Sequence, residues 1–351
     1  MWNKLTQIDN HLKNSYNNPL FFGRISPMKR FFSSVFALLI IFYMGNCFSE
    51  NMPDDTALLD EHLTSKTANV IQTNDETIIE DYESGFWYYH SISQGLRVEI
   101  TRHKIGKRDV LWYEADVRTC AKTPLDCFNS NPENPGHQPF RYSDQIARDN
   151  KLVFAISGDM FGHRKYNAER VGIVIRDGKI LSDQTRKHGV KVFPNLDLMT
   201  LFADGSLKAF ESDEHSAEEY LSMGATDVFC FGPWLIRNGQ VNPETEERWK
   251  GKERRMVLGY YSPYHYIAIY TEGWNKVSQG ASLEWVANRM KELGVQEAVN
   301  LDGGHSAALI FMGKKLRFSN PKGIVVKDRT LDSVIGTGFS DHVPEFLGVG
   351  K

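Results

Sequence analysis

Asn300-Leu301-Asp302-Gly303-Gly304-His305-Ser306 is the stretch on which the reading of this 351-residue chain turns. Val295–Val299 before it is apolar apart from Gln296 and Glu297, and Ala307–Phe311 after it is apolar throughout. A tight polar turn between two buried segments is therefore predicted. Two adjacent glycines permit positive φ and a close approach to the backbone. A carboxamide, a carboxylate, an imidazole and a hydroxyl surround them, more chemistry than a plain connection requires. Just upstream, Ser282 is placed to cap a helix that runs to Leu293 and ends at Gly294. Leu283, Val286, Ala287, Met290 and Leu293 recur at helical spacing and read as core.

Working outward, Leu152-Val153-Phe154-Ala155-Ile156 is a short continuous apolar run, the pattern of a buried strand, and it opens into Ser157-Gly158-Asp159-Met160-Phe161-Gly162. Ile92–Thr101 and Val110–Arg118 alternate as strands do. Asp177-Gly178, Asp204-Gly205 and Asn238-Gly239 each separate two apolar runs and predict hairpins. Further strands are expected at Met256–Gly259 and Tyr264–Tyr270. Short helices are expected after Ser143-Asp144 and over Ala217–Met223. The fold class is α+β: a mixed, largely antiparallel sheet with helices, in a single domain over residues 85–345.

A net charge of −3, with no basic stripe, argues against a nucleic-acid partner. Met28-Lys29-Arg30 followed by the apolar run Phe31–Tyr43 has the shape of an export signal. Residues 28–48 therefore read as a signal peptide or a signal anchor, with Cys47 as a position for lipidation. Residues 1–27 form a polar extension and 49–84 a polar linker. The expected location is exported: periplasmic, extracellular, or anchored in the membrane and facing outward. Export makes disulfides possible, and Cys120 and Cys127 flank a loop that a bridge would close. Cys230, between Phe229 and Phe231, reads as a buried thiol. No Cys or His spacing suggests a metal site, and neither metal nor cofactor is expected.

Polar residues gather where apolar strands end. One group is Ser157, Asp159 and His163; a second is Arg254 and Arg255; a third is Glu272-Gly273-Trp274; the fourth is Asn300, Asp302, His305 and Ser306. These motifs, taken in order, resemble the phosphodiester glycosidase family. Asn300–Ser306 is similar to the family's Asn-Leu-Asp-Gly-Gly-Gly-Ser, with His305 in place of the third glycine. Ile156–Phe161, Gly232-Pro233-Trp234-Leu235-Ile236-Arg237-Asn238-Gly239, Arg255-Met256-Val257-Leu258-Gly259 and Ser278–Leu283 are similar to its other segments. Ser157 stands where many relatives have Asn, and Met256 where they often have Thr. The resemblance spans roughly residues 95–340.

The resemblance implies an exported hydrolase of glycosyl-1-phosphodiester bonds, such as those of N-acetylglucosamine-1-phosphodiesters, acting on envelope or extracellular glycans. In such a reaction phosphate monoester leaves as a stabilised anion, and the demand falls on the oxocarbenium-like centre and the phosphate charge. Carboxylates serve the first need, arginine forks and backbone N–H groups the second. Asp302 is the first candidate carboxylate, followed by Glu272 and Asp159. Arg255 is the candidate phosphate ligand, with Arg254 a solvated neighbour. Asn300, Gly303, Gly304, His305, Ser306 and Ser157 are candidate substrate contacts. A non-catalytic binder of saccharide or phosphoglycan is the alternative, with Asp302 then a turn-capping carboxylate.

Overall fold

Asp177 and Gly178 both take positive φ, 48° and 68°, as do Asn238 and Gly239 at 49° and 71°. This is the two-residue hairpin geometry that suits the twist of paired strands. The first pair joins Ile173–Arg176 to Lys179–Asp183, the second Trp234–Arg237 to Gln240–Val241. The third predicted hairpin pairs Asp197–Phe202 with Leu207–Phe210 through Gly205. The computed structural model describes residues 67–185, 195–318 and 328–345, all within the compact unit spanning 51–351.

The described strands form three sheets, and every described pairing is antiparallel. The ten-stranded sheet runs in the order Asn69–Gln72, Glu76–Asp81, Phe86–Ser91, Leu96–Ile105, Val110–Arg118, His265–Thr271, Arg255–Ser262, Glu297–Asn300, Trp234–Arg237 and Gln240–Val241. One five-stranded sheet is Leu207–Phe210, Asp197–Phe202, Ala225–Phe231, Ile173–Arg176 and Lys179–Asp183. The other is Lys314–Lys315, Leu309–Phe311, Leu152–Ser157, Ser333–Phe339 and Asp126–Asn129. The α+β assignment stands with the balance well toward sheet. The longest described helix is Leu283–Glu292. It starts where Ser282 accepts the Trp285 N–H at 3.2 Å, stops before Gly294 at φ +79°, and buries Leu283, Val286, Ala287 and Met290. That face packs against Leu235, Ile236, Val257 and Ile269 on the large sheet.

The domain begins earlier than its composition suggests. Residues 69–81, read above as linker, form the first two strands of the large sheet. Their polar side chains disguise the pattern, yet Ile78 and Ile79 are 2% and 0% exposed. Asp81 then closes the turn into the next strand, accepting the Glu83 and Ser84 N–H groups at 3.1 and 3.2 Å. The apolar run at 31–43 and Cys47 lie outside the described residues. Among the described residues, no helix is long and apolar enough to cross a membrane. The expected Cys120–Cys127 bridge is absent: both are free thiols, and Cys120 sits in hydrogen-bond contact with the Gln94 carbonyl at 3.3 Å. Cys230 is a buried thiol as expected, its pKa pushed up to about 12 by burial.

If the strand at 76–81 belongs to the core, Ile79→Ala should cost about 2–5 kcal/mol, as buried large-to-small changes do. Denaturant unfolding checks this; no change in midpoint would return these residues to the linker.

Candidate active site

The Asn300–Ser306 turn is built by backbone contacts from two directions. Asn300 ends a strand, paired with Val257, and its Nδ2 donates to the Gly232 carbonyl at 2.8 Å. The chain then leaves the sheet with Leu301 N–H on the Met256 carbonyl at 2.9 Å, Asp302 N–H on that of Gly158 at 3.3 Å and Gly304 N–H on that of Arg254 at 3.0 Å. A Cβ on Gly303 would stand 2.7 Å from the Arg254 carbonyl oxygen, closer than non-bonded atoms tolerate. Gly304 has φ +59°. The two glycines thus have separate causes, one steric and one conformational.

Asp302 is the carboxylate this turn presents. Its carboxyl is mostly withdrawn from water without being sealed off, and desolvation is the largest influence on it, pushing its pKa up to about 6. The Ser306 hydroxyl, the charges of Arg164 and Arg329, and the Gly303 N–H oppose that rise. A carboxyl that titrates near neutral pH beside two arginines is chemically poised. Arg164, on the short helix Phe161–Tyr166, is 3% exposed and donates to the carbonyls of Asp159, Val171 at 3.0 Å and Cys230 at 2.6 Å. Arg329 N–H reaches the His305 carbonyl at 3.4 Å. The same two arginines, with desolvation as the larger cause, lower the pKa of His163.

The other predicted carboxylates are placed differently. Asp159 is 0% exposed. Its oxygens accept from Arg176 at 2.7 Å and from the Cys230 N–H at 2.8 Å, and Arg176 itself lies 4.0 Å from the Phe229 ring centre. Glu272 is 1% exposed and accepts from Asn275 Nδ2 at 2.9 Å, the Tyr113 hydroxyl at 3.4 Å and the Phe318 N–H. Ser157 is 0% exposed, its hydroxyl accepting the Ala308 N–H at 3.2 Å. Each of these three side chains braces a strand exit. Among the described residues, Asp159, His305 and Asp302 do not gather into a three-ligand metal group.

Of the two adjacent arginines, the structure sends them opposite ways, as extended neighbours go. Arg255, 7% exposed, donates to the carbonyls of Ala281 at 3.2 Å and Gly251 at 2.9 Å. Arg254 instead turns toward the Asn300–Ser306 turn. Its Nε donates to the Gly273 carbonyl at 3.2 Å and its guanidinium lies 5.6 Å from the Trp274 ring centre. Trp274 in turn faces His305, ring centres 5.2 Å apart. Arg254, read above as a solvated neighbour, is instead held against Gly273 and Trp274, while Trp274, Arg164 and Arg329 are neighbours that sequence reasoning left without a role. Glycine-flanked Trp274 carried a signal; the arginines carried none that separates them from surface charge.

An antiparallel α+β domain with a poised carboxylate on a glycine turn between sheets defines the class. A family model for phosphodiester glycosidases matches residues 150–337, more than half of the chain, and the chain belongs to that family. It is 26% identical over 172 residues to the SPbeta prophage-derived uncharacterized protein YomE of Bacillus subtilis (strain 168). That stretch is 48% of this chain and about a quarter, 26%, of the length of that curated relative. In fold it is similar to the zebrafish N-acetylglucosamine-1-phosphodiester alpha-N-acetylglucosaminidase catalytic domain, auto-inhibited by its pro-peptide. The TM-score is 0.54 and the identity 21%, covering 70% of this chain and 84% of that one.

Two stability measurements test this geometry. Gly303→Ala should lose about 1–3 kcal/mol, because the added methyl meets a backbone oxygen that has no rotamer to yield. For Asp302 the folded-state value of about 6 lies above the ordinary 3.8. Burying it therefore costs stability at pH values above 6, and the cost disappears below 3.8. Asp302→Asn should raise stability by about 1–3 kcal/mol at pH 8 and leave it unchanged at pH 3.5. A variant less stable than wild type at pH 8 would contradict this balance.

Proposed function

We propose that this chain hydrolyses glycosyl-1-phosphodiester bonds, of the N-acetylglucosamine-1-phosphodiester kind, in envelope or extracellular glycans reached by export. The observation that carries the reading is Asp302: the carboxylate of the family's most specific motif, on a turn between two sheets, held by desolvation at a pKa of about 6. Membership of the family supports the reaction class. The apolar run after Met28-Lys29-Arg30 supports export.

The chemistry fits one carboxylate that is mostly desolvated yet still reached by water. Water attacks the anomeric carbon, the C1–O bond breaks, the phosphate monoester departs with the bonding pair as a stabilised anion, and the surplus proton of the water passes to that phosphate or to solvent. That leaving group needs little help from an acid, so the demand on Asp302 is to be ionised and to stabilise positive charge at the anomeric centre. Arg164 and Arg329 favour the ionised form, and the Ser306 hydroxyl fixes its orientation. Asp159 and Glu272 are assigned positioning roles, the first through Arg176 and the Cys230 backbone, the second through Asn275 and Phe318.

The full-length chain should release N-acetylglucosamine from an aryl N-acetylglucosamine-1-phosphodiester. Asp302→Asn should lower kcat/KM by about 10³-fold or more, the scale of losing a central reactive group. Because the ionised form is required, kcat/KM of the wild type should rise with pH through a midpoint near 6. Equal rates in wild type and Asp302→Asn would remove the role given to Asp302. Absence of turnover with saccharide binding intact would favour the binder.

A further inference from the structure

We infer that Trp274, His305 and Arg254 form a sugar-phosphate subsite beside Asp302, with the indole as the wall that takes a pyranose face and Arg254 as its phosphate-facing cation. The ligand class, a hexosamine 1-phosphate moiety, rests on the hydrolytic reading above; the wall itself rests on geometry.

Trp274 carries two costs in the free chain. It is 48% exposed, and its φ of +57° is the left-handed conformation that bulky side chains avoid, a strain of about 1–3 kcal/mol. The loop does not drift into this state; it is clamped there. Gly273 before it has no room for a side chain, since a Cβ would meet the Arg254 nitrogen at 2.9 Å. After it, Asn275 Oδ1 accepts the Val277 and Ser278 N–H groups at 2.9 and 2.8 Å. Below it, buried Glu272 ties Asn275 to Phe318. Strain that is over-determined by its surroundings marks functional positions.

The indole is also aimed. A Cβ on Gly304 would lie 3.1 Å from its ring, so the ring edge passes against the turn that carries Asp302 two residues earlier. His305 stands exposed at 5.2 Å, tilted 54° from the indole plane, and the two rings make a concave aromatic corner. One face of a pyranose ring presents C–H bonds, which suit the negative π face of an aromatic ring, while its hydroxyls remain free for water or polar partners. Among the described residues, the cation beside the corner has one long ion pair. Arg254 lies 4.0 Å from Asp328, which Lys315 and Arg317 already engage at 2.8 Å each. Three cations share that carboxylate, and Arg254 makes the longest of the three contacts, so its guanidinium can turn a fork to a phosphate oxygen. His305 replaces a glycine of the family motif and so sets the shape of the corner, hence which sugar fits.

Full-length protein is titrated calorimetrically with N-acetylglucosamine 1-phosphate and with N-acetylglucosamine, alongside the phosphodiester assay. Trp274→Ala should weaken sugar-phosphate binding about tenfold, with a matching rise in KM. Trp274→Phe should stay within about threefold of wild type, because the ring returns and the backbone strain is the same in both variants. Arg254→Gln should abolish the preference for the phosphorylated sugar while leaving affinity for the free sugar unchanged. Unaltered binding in Trp274→Ala, or no binding of either ligand by folded wild type, overturns the subsite. Binding as expected without turnover leaves the subsite standing and rejects the hydrolytic reading. Turnover with KM indifferent to Trp274 rejects the subsite alone.

Discussion

The structure depends on a backbone joint. Leu301, Asp302 and Gly304 donate to the carbonyls of Met256, Gly158 and Arg254, so one short turn is stitched to the start of the interior strand Arg255–Ser262 of the large sheet and to the exit of the buried strand Leu152–Ser157. The fit leaves no space at Gly303, where a methyl would collide with the Arg254 oxygen. Backbone hydrogen bonds are directional and short, and close-packed surroundings do not stretch. The backbone of Asp302 is held by this joint, and its carboxyl carries a hydrogen bond from the Ser306 hydroxyl.

Charge is buried in two ways around this joint. Asp159 is paired through both carboxylate oxygens, with Arg176 and the Cys230 N–H, and the Arg176 guanidinium is seated on Phe229. A buried pair of this kind adds little net stability over an apolar equivalent, but losing one partner is expensive; its effect is to make the geometry unforgiving. Asp302 is compensated only in part, and its pKa near 6 records the shortfall. The contrast gives Asp159 a rigid pairing and leaves Asp302 as the carboxylate proposed to react, although both lie in a glycine-containing strand exit.

Much of the fold was legible in the sequence because its signals are local. The Asp177-Gly178 and Asn238-Gly239 turns need positive φ, and those dipeptides supply it. The helix at Leu283–Glu292 carries its own cap, period and stop. The strands at 69–81 were illegible because their inward residues are interrupted by Glu, Asp, Thr and Asn, some of which find partners only in the assembled sheet: Glu80 accepts from Lys314, distant in the chain, at 2.8 Å. The Cys120–Cys127 bridge was suggested by spacing, but proximity in sequence does not orient two thiols toward each other.

The candidate site divides along the same line. Sequence alone determined that Asn300–Ser306 is a glycine turn between buried segments, that it carries a carboxylate, and that the chain resembles phosphodiester glycosidases, because turn chemistry and motif order are written in neighbouring residues. Only the tertiary structure decided which carboxylate keeps access to water, which of two adjacent arginines faces the turn, and that Trp274 is held outward beside His305. Those outcomes depend on desolvation, on the alternation of an extended chain, and on contacts between segments far apart in sequence.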